Sequence, residues 1–448
     1  MAQPANLKKL ARERMERTGE SYTTARKNIL TNKPESPRAA RAAQAKNYSS
    51  QGKSGKQASA KSKSAQSKNA QKPAPAPAPL DELPEYPAPE NVVQYDAALW
   101  HRVLTQAGVT NPVTSQPYTE AMLAGLAGGI GFMQHSFQDE DNVSLALVTR
   151  AHPEPYTQNL LTRCGAKINE RTTSSDVRAA EYLDTGLDAG RAVVVRVAVN
   201  ALPWIEEGEV DESDTIDLAV VGELDDDLLV DDGSGALNPI SPEDLTTARA
   251  RRKREKFWQA WVTSRRAPKP EVLAANVLEA VEETTARLLG TSELRGVPAH
   301  FAKNYGIAGM RTFAARLRDA EGKTGWNQMF AEPAQLESGL SQLAGFLADT
   351  RFGGIGGLRG LYADFLDEAA DLPGLADLGE HSAAYAQLAA LWIDFAQLLE
   401  EPVQPAQRQE LFTGLAQVME QIAQAEQDAA QALAATAATL RQSTDVAH

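Results

Sequence analysis

The chain has 448 residues, a formal net charge of −14 and one cysteine. This length leaves room for two domains with separate cores. A single cysteine excludes internal disulfides and a cluster of thiolate metal ligands. No apolar run is long enough to cross a membrane, and the basic N-terminus lacks the apolar region of a secretory signal. We therefore expect a cytoplasmic protein with no membrane attachment.

Charge is divided unevenly along the chain. The first 72 residues, called the basic arm below, carry 17 Lys and Arg against 4 Asp and Glu, a net charge of +13, and the rest carries −27. The arm lacks Cys, Phe and Trp, so it cannot bury enough apolar surface to offset its ordering entropy. A basic arm on an acidic body predicts binding to a polyanion such as nucleic acid, to an acidic protein, or to the chain's own body.

Two segments divide the first 90 residues. Residues 1–31 are predicted to form a short basic helical hairpin that turns at Gly19. This hairpin either docks nucleic acid or a partner, or it is a frayed helix on a solvated arm. Residues 32–90 are predicted to be a disordered linker rich in Lys, Ala, Ser and Pro, and its PAPAPAP run is a stiff spacer of about 20 Å.

Residues 91–241 have the pattern of an α+β domain, because helices come first and strands joined by returning hairpins follow. The predicted helices are 95–107, 119–126, 156–161 and 176–188. The predicted strands are 144–149, a short strand near Cys164, 191–199, 215–222 and 228–231.

Residues 242–448 are predicted to form an all-α helical domain. Its predicted helices are 242–264, 271–290, 309–320, 333–349, 357–370, 380–399 and 405–440, separated by Pro or Gly. The last helix would be about 50 Å long, with Leu411, Leu415, Val418 and Ile422 on one stripe. Such a helix packs along its own domain or mediates self-association with another copy.

A series of motifs carries a resemblance to a known family. YTEAMLAGLAGGIGF (118–132) leads into a glycine-dense turn, which predicts close backbone packing, and LDAGRAVVVRVAVNALPW, IDLAVVGELDDDLLVDD and NPISPEDLTTAR follow at matching intervals. This series resembles the N-terminal family of butirosin biosynthesis protein H, which has a papain-like fold. NYGIAGM and RFGGIGGLRGLYADFLDEAA resemble the helical domain of unknown function that commonly follows it.

The resemblance implies acyl transfer from an acyl carrier protein to an aminoglycoside amine, with a cysteine nucleophile and a histidine. The cysteine is expected on the first helix, where this chain has Gln94 and Tyr95. The histidine is expected at the start of the strand that here contains Asp217. An orienting acid is expected after the following strand, where Asp231 and Asp232 are the candidates.

Thioester exchange needs a nucleophile and a base within about 3 Å of each other, and none of these residues is an activated nucleophile. Cys164 is predicted to be a buried inert thiol, and His101 a structural histidine. The first hypothesis is therefore a non-catalytic relative that acts as a binding or interaction protein. The alternatives are an active acyltransferase or amide-forming enzyme with a relocated nucleophile, and a nucleic-acid-associated protein recruited by the basic arm.

One strip within the acidic body is basic. Residues 249–269 hold nine basic residues and one acid, interleaved with aromatics. The candidates for binding a ligand or phosphate are Arg249, Arg251, Arg252, Lys253, Arg254, Trp258 and Trp261. As a helix, this strip would suit nucleic acid, or the phosphopantetheine arm or acidic helix of a carrier protein. The alternative is an amphipathic connector whose tryptophans anchor the helical domain.

No metal site and no cofactor are predicted. The six histidines never recur at metal-ligand spacing, and no CxxC is present. The glycine run GGIGGLRG lacks the GK[ST] ending of a phosphate loop and is predicted to be packing at a helix start. Asp225, Asp226, Asp227, Asp231 and Asp232 could hold a cation, but they lack the spacing of a Ca²⁺ loop and are predicted to form a solvated acidic rim.

Overall fold

The computed structural model describes residues 85–139, 142–153, 155–205, 214–251, 256–264, 267–400 and 404–446. The predicted hairpin at 1–31, the whole basic arm and most of the linker 32–90 lie outside the described residues.

Helices and strands follow in an order that confirms the predicted fold class, an α+β region followed by a helical region. The strands are β1 (Ile130–Asp139), β2 (Asn142–Arg150), β3 (Lys167–Arg171), β4 (Val193–Ala198), β5 (Thr215–Leu224), β6 (Asp227–Asp231), β7 (Leu237–Ile240) and β8 (Gln259–Ser264). The first six helices are α1 (Tyr95–Gln106), α2 (Glu120–Leu126), α3 (Tyr156–Arg163), α4 (Asp176–Asp188), α5 (Pro242–Ala250) and α6 (Pro270–Leu289). The later helices are α7 (Gly306–Arg318), α8 (Trp326–Met329), α9 (Pro333–Ala348), α10 (Arg359–Ala370), α11 (Ser382–Gln397) and α12 (Arg408–Val446).

The chain folds into two compact units that interleave along the sequence. The sheet unit contains Asn169–Val230 and Asn238–Thr263, and the helical unit contains Tyr86–Ile168, Asp231–Leu237 and the chain from Ser264 onwards. The predicted domain limits, 91–241 and 242–448, are continuous in sequence and remain a prediction.

A six-stranded sheet with the order β3-β8-β4-β5-β6-β7 organises the sheet unit. β4 and β5 pair antiparallel, with Val193 opposite Val220 and Arg196 opposite Asp217. Alternate valines of these strands pack with α5 and with Trp261 in one buried cluster. Because side chains alternate between the two faces of a strand, Arg196 and Asp217 lie on the face opposite this core.

The prediction of one helix over 242–264 is wrong in its second half, where residues 259–264 form a strand. α5 ends at Ala250, and β8 pairs antiparallel with β4, with Ala260 opposite Val194. The aromatic spacing that suggested a helix edge fits a strand as well, because a short apolar run has no decisive period. Pairing with β4 decides the conformation here. Strand β1 was also not predicted, because its first residues belong to the glycine-dense turn.

The predicted close packing of the glycine-dense turn is confirmed in the helical unit. A Cβ at Gly125 would lie 2.1 Å from the Phe365 ring, and Gly129 has a φ of +61°. The Arg287 guanidinium donates hydrogen bonds to the carbonyls of Gly128 and Ile130. Helices α6 and α10 therefore hold this turn against the body of the unit.

The long C-terminal helix α12 runs for 39 residues and packs against α6, α7 and α11. Leu415 and Ile422 of its predicted stripe are fully buried by helices of the same unit. Self-association of the chain would therefore need a different surface of this helix. Among the described residues, no helix is both long enough and apolar enough to span a membrane.

Candidate functional site

The position where the resemblance expects a cysteine lies at the N-terminus of α1. Gln94 has an extended backbone, and its Oε1 accepts a hydrogen bond of 2.7 Å from the amide of Ala97. It therefore occupies the N-cap position, where a side-chain acceptor satisfies an amide without an intrahelical partner. Its side chain is fully buried.

Neighbouring groups complete the hydrogen bonding around Gln94. The Tyr156 hydroxyl donates to Gln94 Oε1 at 3.0 Å, and the Tyr95 amide donates to the Thr350 carbonyl at 3.0 Å. The Glu120 carboxylate accepts from the Gln94 amide and, at 3.0 Å, from the amide of Val93. The helix start is thus closed by neutral hydrogen bonds and one carboxylate, and it presents no nucleophile.

Glu120 is the first residue of α2. A negative side chain is stabilised there, because backbone amides without intrahelical partners point outward at a helix N-terminus. Burial raises the pKa of its carboxyl, and the hydrogen bonds from the Gln94 and Val93 amides partly oppose that rise. Burial also raises the pKa of Tyr156, with Asp96 acting in the same direction. Both groups are engaged with the helix start, Glu120 as acceptor for the Gln94 and Val93 amides and Tyr156 as donor to Gln94 Oε1.

Asp231 is the buried member of the two candidate orienting acids. Its Oδ2 accepts from Arg102 Nε at 2.6 Å and from the Tyr86 hydroxyl at 2.5 Å. Its Oδ1 accepts from Arg102 Nη2 at 3.1 Å and from the Gly233 amide at 3.0 Å. Asp232, the other candidate, accepts from the Ser234 amide in the following turn. The buried carboxylate thus orients an arginine and a tyrosine.

Asp217 lies in the sheet unit, on β5, near the position where the resemblance expects a histidine. Arg196 of β4 donates to its two oxygens at 2.5 and 2.8 Å. The Arg196 guanidinium also lies over the Trp258 ring, 4.6 Å from its centroid. Such a bidentate pair between opposite residues of two strands is a sheet-stabilising contact.

Cys164, the only thiol in the chain, is fully buried at the C-cap of α3. Its Sγ lies 3.5 Å from the Leu161 carbonyl, and burial raises the pKa of the thiol to about 12. His101 Nδ1 lies 2.5 Å from the Tyr118 carbonyl, so that nitrogen carries the proton and donates it. The structure therefore supports the prediction of an inert thiol.

Three residues of the predicted basic strip are buried rather than displayed. Trp258 donates to Glu170, and Trp261 belongs to the core of the sheet unit. Arg249 donates to the Phe257 carbonyl and to Gln259. Of the other candidates, Arg251 is exposed at the end of α5, while Arg252, Lys253 and Arg254 lie outside the described residues. No single helix presents these residues together.

A small pocket of about 200 Å³ lies in the helical unit. Mostly apolar groups line it: Ala124, Gly125, Gly129, Ile130, Tyr156, Leu358, Leu361 and Tyr362. Within the described residues, no group of three His, Cys, Asp or Glu side chains is placed to hold a metal ion.

The residues that contact Gln94, Asp217 and Asp231 were not predicted from the sequence. They are Tyr86, Arg102, Glu120, Tyr156 and Arg196. One signal was available for Arg196, because it is the single charged residue within the apolar strand VVVRVA (193–198), and a charge there is expected to meet a partner on a neighbouring strand. The other four act through long-range contacts, which no local pattern reveals.

The structure thus has an α+β region followed by a helical region, and residues 93–95, where the resemblance expects a thiol, contain no cysteine. Residues 96–233 match the family described as Butirosin biosynthesis protein H, N-terminal. Residues 243–433 match a Domain of unknown function (DUF4872). The predicted resemblance is therefore confirmed for both parts of the chain. No curated protein matches it.

Proposed function

We propose that this chain is a non-catalytic relative of the butirosin-type acyltransferases and acts as a binding or interaction protein. The observation that carries the proposal is the state of Gln94. A fully buried N-cap glutamine, bonded to Ala97 and Tyr156, lies within residues 93–95, the stretch where the resemblance expects the nucleophile, and none of these residues is a cysteine.

The remaining thiol does not replace the expected one. Because burial raises its pKa to about 12, Cys164 is almost entirely protonated at neutral pH, and the thiolate is the reactive form. Asp217 is paired with Arg196, and Asp231 with Arg102. Both carboxylates are committed to arginines, which favours a structural role for each.

The test uses the full chain and an acyl-N-acetylcysteamine thioester with a primary amine as acceptor. We expect thiol release at the uncatalysed rate and no acyl adduct by intact-protein mass spectrometry. The Cys164→Ala variant should behave identically. A covalent adduct that disappears in Cys164→Ala would refute the proposal and favour the alternative of an active acyltransferase with a relocated nucleophile.

The basic arm supports a second candidate, recruitment to nucleic acid. Its net charge of +13 favours a polyanion, whereas the −27 of the remaining chain opposes broad contact. Binding of duplex DNA, followed by fluorescence anisotropy, should weaken with salt by about 0.9 logarithmic units per phosphate neutralised. A chain lacking residues 1–72 should lose this affinity. Unchanged affinity would leave an acidic protein or the chain's own body as the arm's partner.

A further inference from the structure

Ile355 is an exposed apolar residue on a loop whose neighbouring residues are buried. It is 81% exposed, whereas the two glycines before it and the two after it are buried. Gly354 and Gly356 have φ values of +133° and +63°, a conformation that other residues rarely adopt. A Cβ at Gly356 would lie 2.9 Å from Ala389 of α11. The loop is thus packed against the helical unit, and it leaves Ile355 facing solvent.

Two more exposed apolar residues lie next to this loop. A Cβ at Gly354 would lie 3.0 Å from the Val93 carbonyl oxygen, and Val93 is 38% exposed. Ile393 is also 38% exposed and follows Ala389 by one turn of α11. Val93, Ile355 and Ile393 are called the apolar patch below. Apolar residues that are exposed together mark interaction surfaces, whereas single ones are common on any protein.

A stripe of carboxylates borders the apolar patch. Four acidic residues, called the acidic stripe below, share one face of α10 and its C-cap: Asp364, Asp367, Glu368 and Asp371. Glu368 accepts a hydrogen bond of 2.6 Å from the hydroxyl of Thr119, the N-cap of α2. The next residue, Glu120, accepts from the Val93 amide at 3.0 Å, so the stripe and the patch are neighbours. Burial raises the pKa of Glu368, and repulsion from other carboxylates of the stripe adds to the rise.

The basic arm has the charge and the apolar residues that complement this surface. Residues 360–400 hold eight Asp and Glu and no Lys or Arg, whereas the arm has a net charge of +13. Within the arm, residues 6–17 hold five basic residues against two acidic ones. Their predicted helix has one apolar face: Leu7, Leu10, Ala11 and Met15. Residues 32–72 contain no Leu, Ile, Val, Met, Phe or Trp, so only the first part of the arm can cover an apolar patch.

The chain is long enough for this segment to reach the surface. Residues 18–84 connect it to the described chain, which begins next to Tyr86 of the helical unit. A connection of that length has a root-mean-square span of about 45 Å. It gives the segment an effective concentration on the order of a millimolar. A small apolar contact and a few exposed ion pairs therefore suffice to keep it bound.

We propose that residues 6–17 dock on the apolar patch and the acidic stripe of the same chain. The apolar face of the segment covers the patch, and its lysines and arginines lie against the carboxylates of the stripe. A polyanion such as nucleic acid would compete for the same basic residues and release the segment. The inference does not depend on the proposed loss of catalysis, and its test contains no thioester.

The experiment follows disulfide formation within the full chain in a Cys164→Ala background. The pair Ala11→Cys/Ile393→Cys places one thiol in the segment and one in the apolar patch. We expect diamide to close this disulfide at least tenfold faster than that of Ala11→Cys/Val177→Cys, because Val177 is exposed on α4, outside the patch. Mass spectrometry of digested samples measures the closed fraction over time.

The apolar contribution is measured by Ile355→Ser in the first of these pairs. It should slow closure at least threefold, because the patch loses its most exposed apolar side chain. Val177→Ser is the matched control, since it makes a similar change at an exposed apolar residue of α4, and it should change the rate less than twofold.

The ionic contribution is measured with two triple variants. One removes three exposed carboxylates of the acidic stripe: Asp364→Asn, Asp367→Asn and Asp371→Asn. Its control removes three exposed carboxylates of α4: Asp176→Asn, Glu181→Gln and Asp184→Asn. We expect the stripe variant to slow closure at least fivefold and the α4 variant to change it less than twofold.

Circular dichroism spectra of all variants verify that they fold. The proposal is overturned when the pair at Ala11 and Ile393 closes no faster than the pair at Ala11 and Val177, or when Ile355→Ser and the stripe variant close as fast as the parent pair. It is equally overturned when the α4 triple variant slows closure as much as the stripe variant, since overall charge would then account for the rate. A rate proportional to chain concentration also overturns it, because the segment would then dock on a second copy.

Discussion

The N-terminus of α1 and the start of β5 are both places where the resemblance expects a catalytic group, and their side chains are held by different contacts. At Gln94 the closure consists of hydrogen bonds from neutral groups around a helix cap. At Asp217 it is an ion pair with Arg196 across two strands. Two positions where the resemblance expects catalytic groups therefore differ in the kind of contact that surrounds them. A neutral cap tolerates the loss of one partner, whereas a buried ion pair does not.

The largest expected effect comes from breaking the ion pair. In Arg196→Ala the Asp217 carboxylate, which is 7% exposed, loses its bidentate partner. We expect the free energy of unfolding to fall by about 3 kcal/mol, because a buried carboxylate loses its bidentate arginine. Urea unfolding followed by circular dichroism measures the change.

The double variant Arg196→Ala/Asp217→Ala is the control for that prediction. It should recover part of the loss, because the double variant also removes the carboxylate that Arg196→Ala leaves without its arginine. A single-variant loss below about 1 kcal/mol, the range of exposed pairs, would contradict the assignment of a structural ion pair.

The next largest effect concerns the labelling rate of a cysteine introduced at the start of α1. In a Cys164→Ala background, Gln94→Cys should react with iodoacetamide at least about a hundredfold more slowly than Val93→Cys, since reactivity needs an exposed thiolate. The side chain of Gln94 is fully buried, and that of Val93 is 38% exposed. Equal labelling rates would mean that the helix start is open.

Removing the cap should have a smaller effect than removing the ion-pair partner. We expect Gln94→Ala to lower the free energy of unfolding by about 1–2 kcal/mol, because the Ala97 amide and the Tyr156 hydroxyl both lose their acceptor. Gln94→Ser keeps a favourable N-cap and should fall between the parent and Gln94→Ala. Identical stability of all three chains would show that the cap contributes nothing.

The smallest effect is a change in pH dependence. Burial raises the pKa of Glu120 above its usual 4.5, so the unfolded chain releases this proton at lower pH than the folded chain. The protonated Glu120 carboxyl therefore favours folding at pH values below the pKa that it has in the unfolded chain. This stabilisation is lost as the pH rises through the pKa that it has in the folded chain. Glu120→Gln keeps an oxygen that accepts from the Gln94 and Val93 amides.

The difference in unfolding free energy between Glu120→Gln and the parent should therefore shift in favour of the variant as pH rises from 4 towards neutrality. We expect the shift to stay below about 1 kcal/mol, because interaction of the charge with the helix N-terminus partly offsets its burial. Thermal unfolding across this pH range measures it. A shift of opposite sign would mean that the carboxylate is stabilised by its site.

Most of the local structure could be predicted from the sequence. The helix predicted at 176–188 matches α4 in both bounds, and Thr215 begins β5 as expected. These segments have a clear period and recognisable caps, such as Ser175 accepting from the Arg178 amide. The strand β8 could not be predicted, because its conformation depends on pairing with β4 rather than on its own residues.

The sequence by itself determined that residues 93–95 contain no cysteine and that no histidine lies near Asp217, where the family resemblance expects them. It also determined the division between an acidic body and a basic arm. Only the tertiary structure decided what took their place. Gln94, Asp217 and Arg249 depend on contacts with Tyr156, Arg196 and Gln259. Burial and hydrogen-bond partners arise from packing between distant segments, and no local pattern encodes them.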